Sequence, residues 1–262
     1  MLGAALLAGP AAGHATTASA ASAAGAAATP WAPDVRAATS FAQRRSGRVA
    51  FAVRTPTRAW QRGGDGRFPA ASVVKAMLMV AYLRRADVRR RPLQRSERDV
   101  LSRMIRRSQN PPANRLIAIV GADGLQRLAR RAGMRHFVAV TGVWGGSRIT
   151  ASDQARFFQR IDRLLPTRHR VHAMVLLRTI VASQRWGIGR VRPAGWRLYF
   201  KGGWGSGTGL VDHQVALLQR GRRRISIAIL TAGNPSHDYG KRTLRGIAAR
   251  LLRGLTREAP VP

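Results

Sequence analysis

The chain has 262 residues, 45% of them hydrophobic and 22% charged, and 46 basic residues against 11 acidic ones give a formal charge of +35. That length is enough for a full core in one domain or two lobes. With no cysteine in the chain, disulfides, thiolate zinc sites, iron–sulfur clusters and a thiol nucleophile are all excluded. The longest apolar run is alanine-rich and lies at the start, so no internal segment is expected to span a bilayer.

Of the 46 basic residues only Lys75, Lys201 and Lys241 are lysines. The arginines are scattered through every segment instead of gathering in an arm, and aromatic content is 6%, which leaves few stacking platforms for bases. Nucleic acid is therefore not the expected partner. A polyanion such as an acidic cell-wall polymer is at least as good a partner for so basic a chain.

Met1 to Ala12 reads as the apolar part of an export signal, with Gly13-His14-Ala15 suiting cleavage, and Ala18 to Thr29 as an Ala/Ser/Gly linker. Residues 1–30 are thus expected to precede the folded domain, and the protein to be secreted or cell-wall associated. Asp34 to Arg45 predicts a helix. Alternating Val49, Phe51 and Val53 predict a half-buried strand over Arg48–Arg54. A second strand should precede the Gly63-Gly64-Asp65-Gly66 turn. Residues 72–86 form a leucine- and methionine-rich stretch too long for a strand, hence a buried helix.

The middle is helical. Ser96 with Asp99 has the form of a capping box ahead of Val100, Leu101, Met104 and Ile105. Pro111-Pro112 ends that helix, and shorter ones follow around Leu116–Val120 and from Asp123 to Ala132. Thr150 with Asp153 repeats the capping pattern before Phe157 and Phe158, and a further helix is expected over Val171–Ser183. Trp196–Lys201, Gly209–Gln219 and Arg224–Thr231 read as strands, and Tyr239–Leu252 as an amphipathic helix. Strands near both ends with helices between predict an α+β fold: an antiparallel sheet from residues 31–71 and 186–262, and an inserted helical lobe over 72–185.

Three short motifs fall where these lobes would meet. Ser72-Val73-Val74-Lys75 opens the buried helix, Ser108-Gln109-Asn110 lies between two helices, and Lys201-Gly202-Gly203 ends a strand. Each is weak alone, but together and in order they are about a one-in-a-thousand coincidence. Serine and lysine three apart at a helix start share a face. A lysine within an apolar helix is costly unless it has a function, and a desolvated lysine can act as the base that a serine nucleophile needs.

This S-x-x-K, S-x-N and K-x-G set resembles that of class A β-lactamases and penicillin-binding proteins, over most of residues 35–262. Phe68-Pro69-Ala70-Ala71, Asn114 and Gln184-Arg185-Trp186-Gly187 add to the likeness. The resemblance implies that Ser72 is the nucleophile and Lys75 its base, and that Ser108 relays a proton to the leaving nitrogen. Asn110 would bind a substrate amide, and Lys201 would hold a carboxylate and tune Ser108. Gly203 would admit substrate backbone to the strand edge, and the amides of Ser72 and Trp204 would form the oxyanion hole. No metal or cofactor is implied, and a monomer is expected.

Three departures stand out. Gly202 replaces the family's usual Thr or Ser. The stretch from Lys75 to Ser108 is short. The deacylating glutamate has no counterpart, since the interval from Asn114 to Thr150, with Trp144-Gly145-Gly146, holds Asp123 as its sole acid. Asp123 and Asp153 fit structural roles at helix starts, and His213 that of a satisfied strand residue. The expected reading is an exported serine hydrolase acylated at Ser72 by β-lactams and slow to release the adduct. Alternatives are a D-alanyl-D-alanine carboxypeptidase or other amidase or esterase using the same residues, or a silent cell-wall-binding protein.

Overall fold

The computed structural model describes Leu2, residues 31–205 and residues 210–255. Apart from Leu2, the expected export segment and the linker lie outside the described residues, as does Gly209.

In chain order the elements are α1 (Val35–Gln43), β1 (Arg48–Arg54), β2 (Ala59–Arg62), β3 (Phe68–Pro69), α2 (Val74–Leu83), α3 (Arg95–Arg106), α4 (Asn110–Arg131) and β4 (Arg148–Ile149). Then come α5 (Ala151–Gln159), α6 (Ile161–Leu164), α7 (Thr167–Arg178), β5 (Arg197–Gly205), β6 (Val211–Arg220), β7 (Arg223–Ala232) and α8 (His237–Leu251). Five strands form one antiparallel sheet in the order β2-β1-β7-β6-β5, and β3 pairs with β4. This is the α+β architecture expected from strands at both ends of the domain.

The inner strands read as near-continuous apolar runs because both faces of the sheet are covered. Helices α1 and α8 pack together on one side, and α5 lies against β1, β6 and β7. Leu244, Ile247, Ala248 and Leu251 supply the buried stripe of α8 at helical spacing. Ser236 caps that helix, its side chain accepting from the Tyr239 amide at 3.1 Å, so α8 starts two residues earlier than its apolar pattern suggests. No described helix is long and apolar enough to cross a membrane.

Every residue of α2 is buried, which explains its lack of polar face: it runs between α4, α3 and α7. The capping of α3 differs from expectation. Glu97 accepts from the Gln94 amide at 2.7 Å, so the box is Gln94/Glu97. Asp99 instead pairs with Arg103 one turn on, at 2.7 Å. Glu97 also takes both guanidinium nitrogens of Arg91 at 2.7 Å and the Tyr82 hydroxyl at 2.5 Å, tying α3 to α2.

The Arg91 fork holds the Glu97 carboxyl down to about 2, despite some burial. Because the folded value lies below the unfolded one, this stability is present above about pH 4.5 and is lost as pH falls toward 2. Glu97→Gln should therefore lower the melting temperature at pH 7 and do so progressively less between pH 4 and 2, as followed by thermal melts across that range.

Pro111 and Pro112 occupy the first turn of α4, where a missing N–H costs nothing. The two helices expected over 116–132 are both present within α4, meeting at Gly121, whose non-helical φ of +69° and ψ of 166° suit glycine. Helix α7 begins at Thr167, directly after Pro166, four residues before the expected start.

Candidate active site

Ser72 lies in a 3₁₀ turn, Ala71–Val73, that leads directly into α2, and Lys75 is in the first turn of α2 itself. Both lysines of the motif set are fully buried, while Ser72 and Ser108 are each 8% exposed. Lys75 Nζ donates to the Ser108 carbonyl at 2.5 Å and to Asn110 Oδ1 at 2.8 Å. Lys201 Nζ donates to Ser108 Oγ at 2.9 Å and to the Gly202 carbonyl at 2.7 Å. Ser108 is thus the point where the two lysines meet, one on its backbone and one on its side chain.

Neither lysine has a carboxylate partner among the described residues. Burial brings Lys75 down to about 7. It lowers Lys201 well below the usual lysine value, with the charge of Lys75 adding to the effect. A neutral amine has two hydrogens and one lone pair. In the neutral form of Lys75 the two hydrogens are taken by Ser108 and Asn110, which leaves its lone pair free.

The backbone around the serines is strained. Ala71 has φ +44° and Ser108 φ +57°, left-handed values that cost non-glycine residues about 1–3 kcal/mol each and cluster at functional sites. Strand β5 is an edge among the described strands, pairing with β6 alone, and it runs beside the Ser72 turn. A Cβ on Gly203 would stand 3.0 Å from the Ser72 amide nitrogen and 2.8 Å from that of Val73, so only glycine fits. Gly202 has a different reason. The Trp186 indole lies 3.2 Å from where its Cβ would be, filling the place of the family's Thr or Ser side chain. Gln214 fixes Trp186 by donating to its carbonyl at 2.7 Å and accepting from the Ile188 amide at 2.6 Å, and Trp186 meets Trp204 edge to face at 5.9 Å.

A cleft of about 290 Å³ opens above Ser72, lined by Ala71, Asn110, Val143, Trp144, Trp204 and glycines. Trp144 covers Lys75, with Nζ 4.9 Å from the ring centroid. Its indole N–H donates to Asn114 Oδ1 at 2.7 Å. No carboxylate lines this cleft among the described residues, and residues 206–209 contain no acid. Asp153 lines a different cleft and accepts from the amides of Arg135 and His136 at 2.9 and 2.7 Å. Buried His213 bonds the Pro69 carbonyl at 2.8 Å and accepts from the Thr231 amide at 3.2 Å, and burial lowers it to about 4. Both are structural.

The motif residues Ser72, Lys75, Ser108, Asn110, Lys201, Gly203 and Trp204 therefore converge on one place. The expected role of Asn110 is narrowed, because its side-chain oxygen is already engaged by Lys75 and only its NH₂ remains for a substrate. Sequence reasoning missed the contributions of Trp144, Trp186 and Gln214. A lone tryptophan before two glycines in a loop was the available signal for the first.

The family model described as the beta-lactamase enzyme family matches residues 88–255. The chain belongs to that family. The match begins after Ser72 and Lys75, so their assignment rests on the geometry above. Among solved structures, a β-lactamase from Sphaerobacter thermophilus is 23% identical, with a TM-score of 0.74, covering 87% of this chain and 98% of its own. A β-lactamase from Xanthomonas campestris is 16% identical, TM-score 0.72, covering 85% and 97%. PBP-A is 18% identical, TM-score 0.70, with the same coverage. At these identities the likeness is one of fold. No curated protein matches the sequence.

Proposed function

We propose that this member of the beta-lactamase family is an exported serine hydrolase that β-lactams acylate at Ser72. The observation that carries the reading is the meeting of two buried, carboxylate-free lysines at Ser108, one of them Lys75, three residues after Ser72. In the acylation step Ser72 Oγ attacks the lactam carbonyl and its proton passes to the lone pair of Lys75. As the C–N bond breaks, the leaving nitrogen takes a proton through the Ser108 hydroxyl. The amides of Ser72 and Trp204 would receive the oxyanion. A cell-wall peptide ending in D-alanine is the second reading, favoured by the open edge of β5 beside Gly203, where an extended chain can pair.

Incubation with a fluorescent penicillin followed by a denaturing gel tests the proposal. A covalently labelled band, lost on competition with unlabelled penicillin, is expected. Absence of label at any pH from 6 to 9 would overturn acylation of Ser72 by β-lactams. A D-Ala-D-Ala peptide that competes for the label would favour the second reading.

Lys201 is assigned the substrate carboxylate. A carboxylate entering beside Lys201 favours the charged form that burial disfavours, forming a charge-assisted hydrogen bond of about 1.5–3 kcal/mol. Lys201→Ala should therefore slow acylation by carboxylate-bearing penicillins about 10–150-fold more than that by their neutral esters. Equal losses for the two, measured as second-order acylation rates, would transfer the carboxylate to an arginine.

A further inference from the structure

Five arginines gather far from the Ser72 cleft in the order of the sheet. Arg54 ends β1, beside the β2 edge, whereas Ser72 lies by β5 at the opposite edge. With Arg156 of α5, Arg160, Arg163 of α6 and Arg224 of β7, it lines a groove of about 310 Å³. Arg224 is satisfied, forking onto Asp162 at 2.7 and 2.8 Å and donating to the Gln159 carbonyl at 2.9 Å. The other four are not. Among the described residues no carboxylate or carbonyl receives their side chains, and Arg156 Nε is buried without a hydrogen-bond partner.

The surrounding acids are already committed or outside the groove. Asp162 belongs to Arg224. Arg54 and Arg156 also line an adjoining cleft with Asp153 and Asp65, but the first of these acids accepts two backbone amides, the second lies near His136, and neither forms an ion pair with the two arginines. Arg54 and Arg156 therefore face each other partly buried, and burial together with the charge of Arg156 lowers the Arg54 guanidinium from its usual value. Two unpaired like charges away from bulk water are unfavourable, and an anion in the groove would reverse that.

The arrangement selects among anions. Arg156 on α5, Arg160 at the break between α5 and α6, and Arg163 on α6 line one groove with Arg54, so the charge comes from several segments and suits a ligand that carries several anionic groups in a row. Guanidinium forks match phosphate oxygens. No aromatic side chain lines the groove, and Trp60, in the adjoining cleft that Arg54 and Arg156 also line, is already covered by Arg58, so the groove itself offers bases no stacking platform. We propose that this groove is a second binding site, independent of Ser72, for a linear base-free chain of phosphodiesters.

Calorimetric titration of the full chain at 0.15 M salt, with poly(glycerol phosphate) and with an oligodeoxynucleotide of equal charge, tests it. Arg54→Gln/Arg156→Gln should weaken poly(glycerol phosphate) at least tenfold, and the exposed Arg160→Gln alone about threefold. Arg242→Gln/Arg245→Gln on α8 should change it less than twofold. Without ligand, Arg54→Gln should melt higher than wild type, because a repulsion is removed, and should lose the rise in melting temperature that the polymer gives to wild type. Equal weakening by the α8 pair would show diffuse surface charge and overturn the site. Tighter binding of the oligonucleotide would overturn the assigned ligand.

Discussion

Ser72→Ala should abolish covalent labelling by penicillin while leaving the melting temperature within about 2 °C of wild type, since it removes only a hydroxyl at the floor of the cleft. Lys75→Ala should slow acylation by about 10²–10⁴-fold, the range for loss of a positioned general base. The two effects have distinct signatures in pH. Only the free amine of Lys75 can take the serine proton, and burial brings that group to about 7. Acylation by wild type should therefore rise about tenfold per pH unit below 7 and level off above it. Trp144→Ala opens Lys75 to water, weakens the desolvation that lowers it, and should move this midpoint upward. Second-order labelling rates between pH 5 and 9 read both. A pH-independent rate in wild type would remove Lys75 from the role of base.

The second large effect concerns release of the adduct. Hydrolysis of an acyl-enzyme needs a base for the attacking water, worth about 10²–10⁴-fold, and the interval from Asn114 to Thr150, where the resemblance would place that base, holds Asp123 as its sole acid. The structure shows what stands beside Lys75 instead: the Trp144 indole, held by Asn114, in a cleft lined by no carboxylate among the described residues. Asp153 is turned to other partners, the amides of Arg135 and His136. Stopped-flow hydrolysis of a chromogenic cephalosporin should therefore show a burst equal to the enzyme concentration, followed by turnover at least a hundredfold slower. A linear trace without a burst would mean that deacylation keeps pace, with a base supplied from elsewhere.

The parts of the molecule legible in the sequence are those governed by local pattern. Val49, Phe51 and Val53 marked β1 at its observed limits, Arg48–Arg54, but the strand is not half-buried as their alternation suggested, since Val49 through Val53 are all buried between the two covered faces of the sheet. Thr150 marked the start of α5, where its side chain accepts from the Asp153 amide. Scarcity drew attention to Lys75 and Lys201, because in a chain that uses arginine almost everywhere a lysine demands a reason. Other features depend on the path of the backbone. Two capping patterns overlap before α3, and only the pull of Arg91 and Tyr82 on Glu97 decides between them. The strained φ of Ala71 and Ser108 is invisible because neither residue is glycine. Gly202 looks like a lost hydroxyl until Trp186 is seen in its place, and that placement depends on Gln214, 28 residues away.

The central claim is that Ser72 forms an acyl-enzyme which outlives its formation. The intact mass of the protein, followed over time after a brief exposure to benzylpenicillin and removal of the excess, measures this directly. The expected spectrum shows one added penicillin per chain, located on the peptide containing Ser72, and persisting for many minutes. An unmodified mass at the earliest time point, with the penicillin recovered intact or fully hydrolysed, would contradict it.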